Sequence, residues 1–248
     1  MKILVCISSV PDTTAKINFT ADKSAFDKNG IQWVINPLDE FALTKAIKLQ
    51  ETQGATVTVI NVGDATTEPV VRKALAIGAN DAVRVNVEPK DSFSAAKEIA
   101  KIAQEGGYDL IIAGKESIDY NGGAVPGMVA QLLNQPFVNA CVGLEVNGGE
   151  ATAVREIEGG KETISVKLPA VIAGQKGMVE EKDLIIPNMR GIMSARTKPL
   201  QVAEPSSTEV KVEAVSFDSV PARAAVKLVS PDNLDELVRL LHEEAKVI

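Results

Sequence analysis

Asp109-Leu-Ile-Ile-Ala-Gly-Lys-Glu-Ser-Ile-Asp-Tyr-Asn-Gly-Gly-Ala-Val-Pro-Gly-Met-Val-Ala130 is the stretch on which the fold turns. Leu110 to Ala113 are an apolar run of the length of one buried strand. Gly114, Gly122, Gly123 and Gly127 follow, and they let the backbone approach a ligand closely. Val125, Met128, Val129, Leu132 and Leu133 then recur at helical spacing, with Pro126 tolerable in a first turn. A helix opening beside a glycine cluster presents unpaired N–H groups and the positive end of its dipole, which suits a phosphate. The pattern is neither GxGxxG nor GxxxxGK followed by Ser or Thr. A strand-to-helix turn of a doubly wound sheet without any ligand would look the same, so local chemistry leaves both readings open.

Working outward, strand-like and helix-like segments alternate. Lys2–Ser8 reads as a first strand, Ala55–Val62 as a second, Asp81–Val87 as a third and Asp109–Ala113 as a fourth. Between them lie helical patterns over Asp39–Gln53, Thr66–Ile77 closed by Gly78, and Ser92–Gln104 closed by Gly106 and Gly107. Such alternation predicts a parallel sheet with right-handed crossovers. Ligands of such sheets gather at the carboxyl ends of the strands. Three segments therefore converge on one crevice: Cys6–Thr13, Val62–Thr66 and Gly114–Gly127. Past Gln135 the pattern changes. Val138–Val146, Ala151–Ile157 and Glu162–Lys167 alternate loosely and read as antiparallel additions, and Leu168–Ala173 is a short buried strand. Residues 180–199 show little periodicity, 200–231 read as an extended arm, and Asn233–Glu244 as an amphipathic helix.

The composition narrows the function classes. With 248 residues, 45% hydrophobic and 24% charged, the chain can bury a real core. A net charge of −7 argues against nucleic acid or an anionic membrane as the main partner. No apolar run reaches membrane-spanning length. The chain opens directly on strand-like residues without signal or transit character, and Cys6 and Cys141 both sit in apolar surroundings. Reduced thiols and a cytoplasmic location are expected. His242 is the single histidine, so neither a nucleophilic triad nor a transition-metal site is expected.

These residues resemble the β subunit of electron transfer flavoproteins across nearly the whole chain. The resemblance rests on Val154-Arg-Glu-Ile-Glu-Gly-Gly-Lys-Glu-Thr163 followed by Leu168-Pro-Ala-Val171, on Asn36-Pro37, on Ala74-Leu-Ala-Ile-Gly-Ala79, on Gly114-Lys-Glu-Ser-Ile-Asp119, and on Gly191-Ile-Met-Ser-Ala-Arg-Thr-Lys-Pro199, in that family's order. It implies a doubly wound, mostly parallel Rossmann-like α/β sheet of adenine-nucleotide-hydrolase type, with an antiparallel extension and a C-terminal arm. Residues 1–199 would form the nucleotide-binding domain, including a recognition loop at about 180–199. Residues 200–248 would form an arm and helix wrapping an α subunit.

The function implied is electron carriage without a substrate transformed on the subunit and without catalytic residues or a metal. FAD would lie mainly on the α subunit of the heterodimer, with β covering part of it and holding a structural AMP. Electrons would come from acyl-CoA dehydrogenases, as in fatty acid oxidation, and from other flavin dehydrogenases, and pass to a quinone oxidoreductase. Carried over by position, the AMP site would comprise Cys6, Asn36, Pro37, Leu38, Asp39, Val62 and the run Asp119, Tyr120, Asn121, Gly122, Gly123, Ala124, Val125, Pro126, Gly127, Met128, Val129, Ala130. Plain core packing is the other reading of Cys6 and Val62, and a helix N-terminal cap the other reading of Asn36. Thr13 would be adjacent to FAD, at a place where the family often has an aromatic residue. Met189, with Ile192 and Met193, would recognise partners, Met189 as the apolar side chain that docks, with a buried loop anchor as its other reading. Asp119-Tyr-Asn-Gly-Gly123 lacks the Asp-x-Asp-Thr-like run of the bifurcating branch, which favours AMP over a second FAD. The rivals are an ATP-hydrolysing module of universal-stress-protein type and an assembly subunit with an empty pocket.

Overall fold

A computed structural model describes residues 1–206, 209–223 and 225–248. The chain begins with β1 (Lys2–Cys6); a hairpin of β2 (Ser9–Pro11) and β3 (Trp33–Ile35) then leads into α1 (Pro37–Gln53). β4 (Thr56–Val62), α2 (Glu68–Ile77), β5 (Asp81–Val85), α3 (Ser92–Gly106), β6 (Leu110–Gly114) and α4 (Val125–Leu133) follow in strict alternation. A meander of β7 (Phe137–Asn147), β8 (Glu150–Ile157) and β9 (Gly160–Lys167) precedes β10 (Ala170–Gly174). Then come α5 (Met189–Ala195), β11 (Leu200–Ala203) and α6 (Leu234–Arg239), the last running into a π-helical stretch over Leu240–Ala245.

Local chemistry sets the boundaries. Pro37 stands at the start of α1, where its missing N–H would have had no intrahelical partner. Gly54 closes α1 in the left-handed region at φ 67 and returns its N–H to Gln50 O. Asp91 and Ser94 cap α3 reciprocally.

Among the described residues, one sheet of nine strands runs in the order β11-β5-β4-β1-β6-β10-β7-β8-β9. From β11 to β7 neighbours are parallel, and β7, β8 and β9 are antiparallel. The chain steps from β1 to β4 and β5 on one side, then returns to place β6 on the other side of β1. That reversal makes the gap between the β1 and β6 tips a topological switch point. Alternate residues of β1 face opposite layers. Ile3 and Val5 share a core with Leu43 of α1 and Leu75 of α2, while Leu4 and Cys6 share one with Ile99 of α3 and Val129 of α4. Helices on both faces explain why β1, β6 and β10 are nearly continuous apolar runs. This is the doubly wound, mostly parallel α/β fold expected.

The structure departs from the sequence reading at the edges. Leu200–Ala203, read as the start of an arm, is edge strand β11, paired parallel with β5. The aperiodic 180–199 segment contains α5, too short for a period to show. β7 pairs antiparallel with β8 but also parallel with β10 through Phe137 and Val138, and it changes register near Ala140, whose φ is 53. The β2–β3 hairpin was not anticipated, each strand being three residues long.

Two compact units are present. One comprises Met1–Ile17 and Lys28–Val215, and contains the sheet. The other comprises Asn18–Asp27 and Ser216–Ile248. Within the latter, Phe19 and Phe217 stack at 5.3 Å, Phe217 N donates to Lys23 O at 2.9 Å, and Lys23 pairs with Asp218 at 2.6 Å. Ser207, Thr208 and Ala224, within the expected arm, lie outside the described residues. Among the described residues no helix is long and apolar enough to cross a membrane.

Candidate functional site

The switch point is built around Asp39, in the first turn of α1. Its carboxylate is buried and bridges the two strand tips: Oδ2 accepts from Ser8 N at 2.7 Å and Oδ1 from Gly114 N at 2.8 Å. Gly114 is required, because a Cβ there would stand 2.4 Å from Asp39 Oδ1. Burial pushes the Asp39 carboxyl up to about 7, against the opposing pull of the two backbone N–H groups. Asn36 is also buried, and its side chain does not cap α1. Its Nδ2 donates to Glu116 O at 2.9 Å and its Oδ1 accepts from Ile118 N at 3.3 Å. The cap expected of Asn36 is thus replaced by a hold on the loop after β6. Asn36 and Asp39 are walls of the crevice, with their polar atoms already paired to backbone.

That loop folds on itself. Ser117 and Gly122 exchange backbone bonds of 3.0 and 3.2 Å, and Asn121 takes a positive φ of 51. Asp119 pairs with the Ser117 hydroxyl, and Tyr120 is exposed. Gly122, Gly123 and Ala124 lead into α4, and a Cβ on Gly122 would meet open space. Met128 N makes the first bond of the helix, to Ala124 O at 3.0 Å. The amides of Val125 and Gly127 therefore precede the intrahelical ladder, and Pro126 has none. Behind them Val125 and Met128 are half-buried, and Val129 and Ala130 buried, in the cluster that also holds Cys6 and Val62. Burial, reinforced by the charge of Asp39, raises the Cys6 thiol well above its ordinary range, so it remains protonated.

A surface cleft of about 450 Å³ lies beside this crevice, lined by Leu38, Lys115, Glu116, Glu156, Gln175 and Lys176. Leu38 is among the residues expected at the nucleotide site, Lys115 and Glu116 fall in the Gly114–Gly127 segment expected at the crevice, and Glu156, Gln175 and Lys176 lie outside every expected segment. Gln175 follows the last residue of the parallel strand β10, so the strand-tip rule applied to that strand as well would have found it. Among the described residues no cluster of His, Cys, Asp or Glu could hold a metal.

The other anticipated residues are exposed. Thr13 is exposed in a turn where Asp12 Oδ1 accepts from Thr14 N at 2.9 Å and Thr14 Oγ1 at 2.6 Å. On α5, Met189 is 74% exposed, and Ile192 and Met193 are exposed as well. Ile186, not anticipated, is 85% exposed just before the helix. Asn188 caps α5 by accepting from Gly191 N at 2.8 Å. Two carboxylates, one on α3 and one at its N-cap, hold the chain beyond β11. Buried Glu98 accepts from Ser206 N and Oγ at 2.9 Å, and Asp91 Oδ2 accepts from Lys211 N at 2.6 Å and Val212 N at 3.0 Å.

Comparison with known proteins bears on this geometry. The family model described as "Electron transfer flavoprotein domain" matches residues 24–208. The chain is 34% identical to the electron transfer flavoprotein subunit beta of Bacillus subtilis (strain 168), over the full length of both. It is 37% identical to the protein of the same name from Syntrophomonas wolfei, covering 91% of this chain and 88% of that one. To the Homo sapiens electron transfer flavoprotein subunit beta it is 29% identical, over 100% and 99% of the two chains. A stress-protein-like ATPase is not favoured by these matches.

Proposed function

The chain belongs to the electron transfer flavoprotein family as a β subunit, and from that premise we propose that it binds AMP at the switch point, helps enclose FAD held mainly by an α subunit, and docks flavin dehydrogenases. The observation that carries the AMP reading is the opening of α4. Amides that precede its first hydrogen bond follow Gly122, where a Cβ would meet open space, and Gly123, where one would stand 3.3 Å from Lys115 O, and the helix they open packs on an apolar patch containing Cys6 and Val62. Such amides suit a phosphate, and such a patch suits a purine face. The residues present fit an adenylate, with Asn36 and Asp39 fixing the walls and the amides near Gly123–Met128 holding the anion. The absence of an Asp-x-Asp-Thr-like run after Asp119 supports AMP at this site in place of a second FAD.

When bound, FAD supplies the one- and two-electron chemistry. The contribution of this chain is placement: Thr13 faces the flavin, the sheet excludes water from one side, and α5 brings a donor near. The exposed Val220, Val226 and Leu228 support a C-terminal arm, beginning beyond edge strand β11 and not at residue 200, that buries its apolar side chains against the α subunit. Acyl-CoA and other flavin dehydrogenases are the donors, a quinone oxidoreductase is the acceptor, and the cytoplasm is the place of action. AMP stabilises the folded chain by mass action, since it binds only that state.

Co-expression with an α subunit, followed by heat denaturation and an inventory of released small molecules, tests this. One AMP and one FAD per heterodimer are expected, with yellow colour only when α is present. ATP released with turnover, or no nucleotide at all, would overturn the reading.

A further inference from the structure

α5 is held by two cations that cross between it and α2. Lys198 Nζ donates to Leu75 O at 2.9 Å and Ala79 O at 2.6 Å, covering the carbonyl end of α2. In return Arg72 of α2 donates through Nη1 to Ala195 O at 2.9 Å and Lys198 O at 3.0 Å, covering the carbonyl end of α5. Each helix thus has its negative end met by a cation from the other segment. The fit is close, because a Cβ on Gly191 would stand 2.5 Å from Ala76 O. Arg72 is itself steadied by Glu68, at 3.2 Å. Only Ala195 of α5 is buried, so the clamp sets which way Met189, Ile192 and Met193 stand out. The stretch that carries this apolar group is basic. Leu184–Leu200 contains Arg190, Arg196 and Lys198 and no acidic residue, in a chain of net charge −7. Arg190 and Arg196 are exposed.

We propose that Arg72 and Lys198 are positioning residues that aim α5 as a preformed docking element for an apolar, acid-rimmed pocket on a flavin dehydrogenase. This rests on the docking reading above and adds the chemistry of the partner's surface. A preformed element binds without a further cost of ordering a loop, so loosening the clamp acts on encounter and leaves the flavin unchanged. Complementary charge makes that encounter sensitive to salt.

The test uses the flavin-loaded heterodimer, with a purified acyl-CoA dehydrogenase, reduced by its own acyl-CoA, as donor. Lys198→Met is expected to raise KM for the dehydrogenase roughly tenfold with kcat within about twofold, and Lys198→Arg to restore it. Flavin content is expected to stay at the wild-type level in both. Should Lys198→Met fail to assemble, Gly191→Ala displaces α5 without touching either cation and is expected to give the same rise. Arg190→Gln is expected to flatten the increase of KM with ionic strength. A loaded Lys198→Met heterodimer with wild-type KM overturns the positioning role. A wild-type KM indifferent to salt overturns the acidic rim. A loaded wild-type heterodimer that the dehydrogenase does not reduce overturns the docking reading itself, and this inference with it.

Discussion

The switch point and α5 are organised in opposite ways. At the switch point, polar side chains are buried and bonded to backbone: Asp39 joins the tips of β1 and β6, and Asn36 holds the following loop. On α5, apolar side chains are exposed and the polar work is done underneath, by Arg72 and Lys198. The first arrangement makes a rigid cradle whose cost of failure falls on folding. The second makes a surface whose loss leaves the fold intact. If this contrast is correct, substitutions at the first site are seen in unfolding experiments and those at the second only in partner kinetics.

The largest effect is expected at Gly114. A side chain there drives into Asp39 Oδ1 and also comes within 2.9 Å of Leu38 Cβ and 3.0 Å of Asp39 N, and the buried Asp39 has little freedom to relax. Gly114→Val should lower stability by about 3 kcal/mol or more, measured by urea unfolding. Wild-type stability in that variant would show that the two strand tips are not held together as described.

Asp39 comes next. Asp39→Ala leaves the N–H groups of Ser8 and Gly114 without their acceptor, and a loss of about 2–3 kcal/mol is expected. Its charge also leaves a mark on pH dependence. The folded chain raises this carboxyl from 3.8 to about 7, so the fold binds the proton more tightly than the unfolded chain does. The resulting contribution is complete below the unfolded value and is lost as pH rises towards about 7. Glu209 behaves oppositely, because hydrogen bonds and charge from Lys211 and Lys97 hold it at about 2. Its contribution is present above the unfolded value and is lost as pH falls towards about 2. The two windows overlap only between 3.8 and 4.5. Urea midpoints between pH 4.5 and 7.5 should therefore fall in the wild type and be flatter in Asp39→Asn. Parallel curves would refute the assignment.

Asn36→Ala should be milder, about 1–2 kcal/mol, since the carbonyl of Glu116 and the amide of Ile118 lie near the surface. Its sharper signature is local. Amide hydrogen exchange over residues 116–124 should quicken, and nucleotide retention through purification should fall, while exchange in β4 stays slow.

Much of this was legible in the sequence and some was not, for a physical reason. Strand–helix alternation announces the parallel sheet, and glycine after a buried strand announces a tip where backbone comes close. What periodicity cannot show is which tips are tied together. Asp39 meets Gly114 across 75 residues and Asn36 meets Glu116 across 80, and neither bond changes the local pattern at either end. Asn36 before a proline reads as a cap, and only the neighbouring strand order turns its side chain to another task. β11 and α5 escaped for a simpler reason: four and seven residues are too few to complete a repeat that a reader could recognise. The exposed positions on α5 were reached through family resemblance, because hydrophobic side chains in an aperiodic stretch fit a buried anchor equally well.

The smallest effect on folding, and the most telling for function, is expected at Met189. With 74% of its surface exposed it contributes little to the core, so Met189→Ser should shift stability by no more than about 0.5 kcal/mol. Yet a flexible thioether at the end of a clamped helix is suited to fill a partner's apolar pocket, and replacing it with a hydroxyl should raise KM for a flavin dehydrogenase at unchanged flavin content. Paired with Gly114→Val, this separates the two regions in one experiment. The glycine variant should lose stability while whatever heterodimer survives still accepts electrons, and the methionine variant should do the reverse. A Met189→Ser protein that unfolds early would mean that α5 is part of the core after all, and the contrast between cradle and docking surface would fail at its second term.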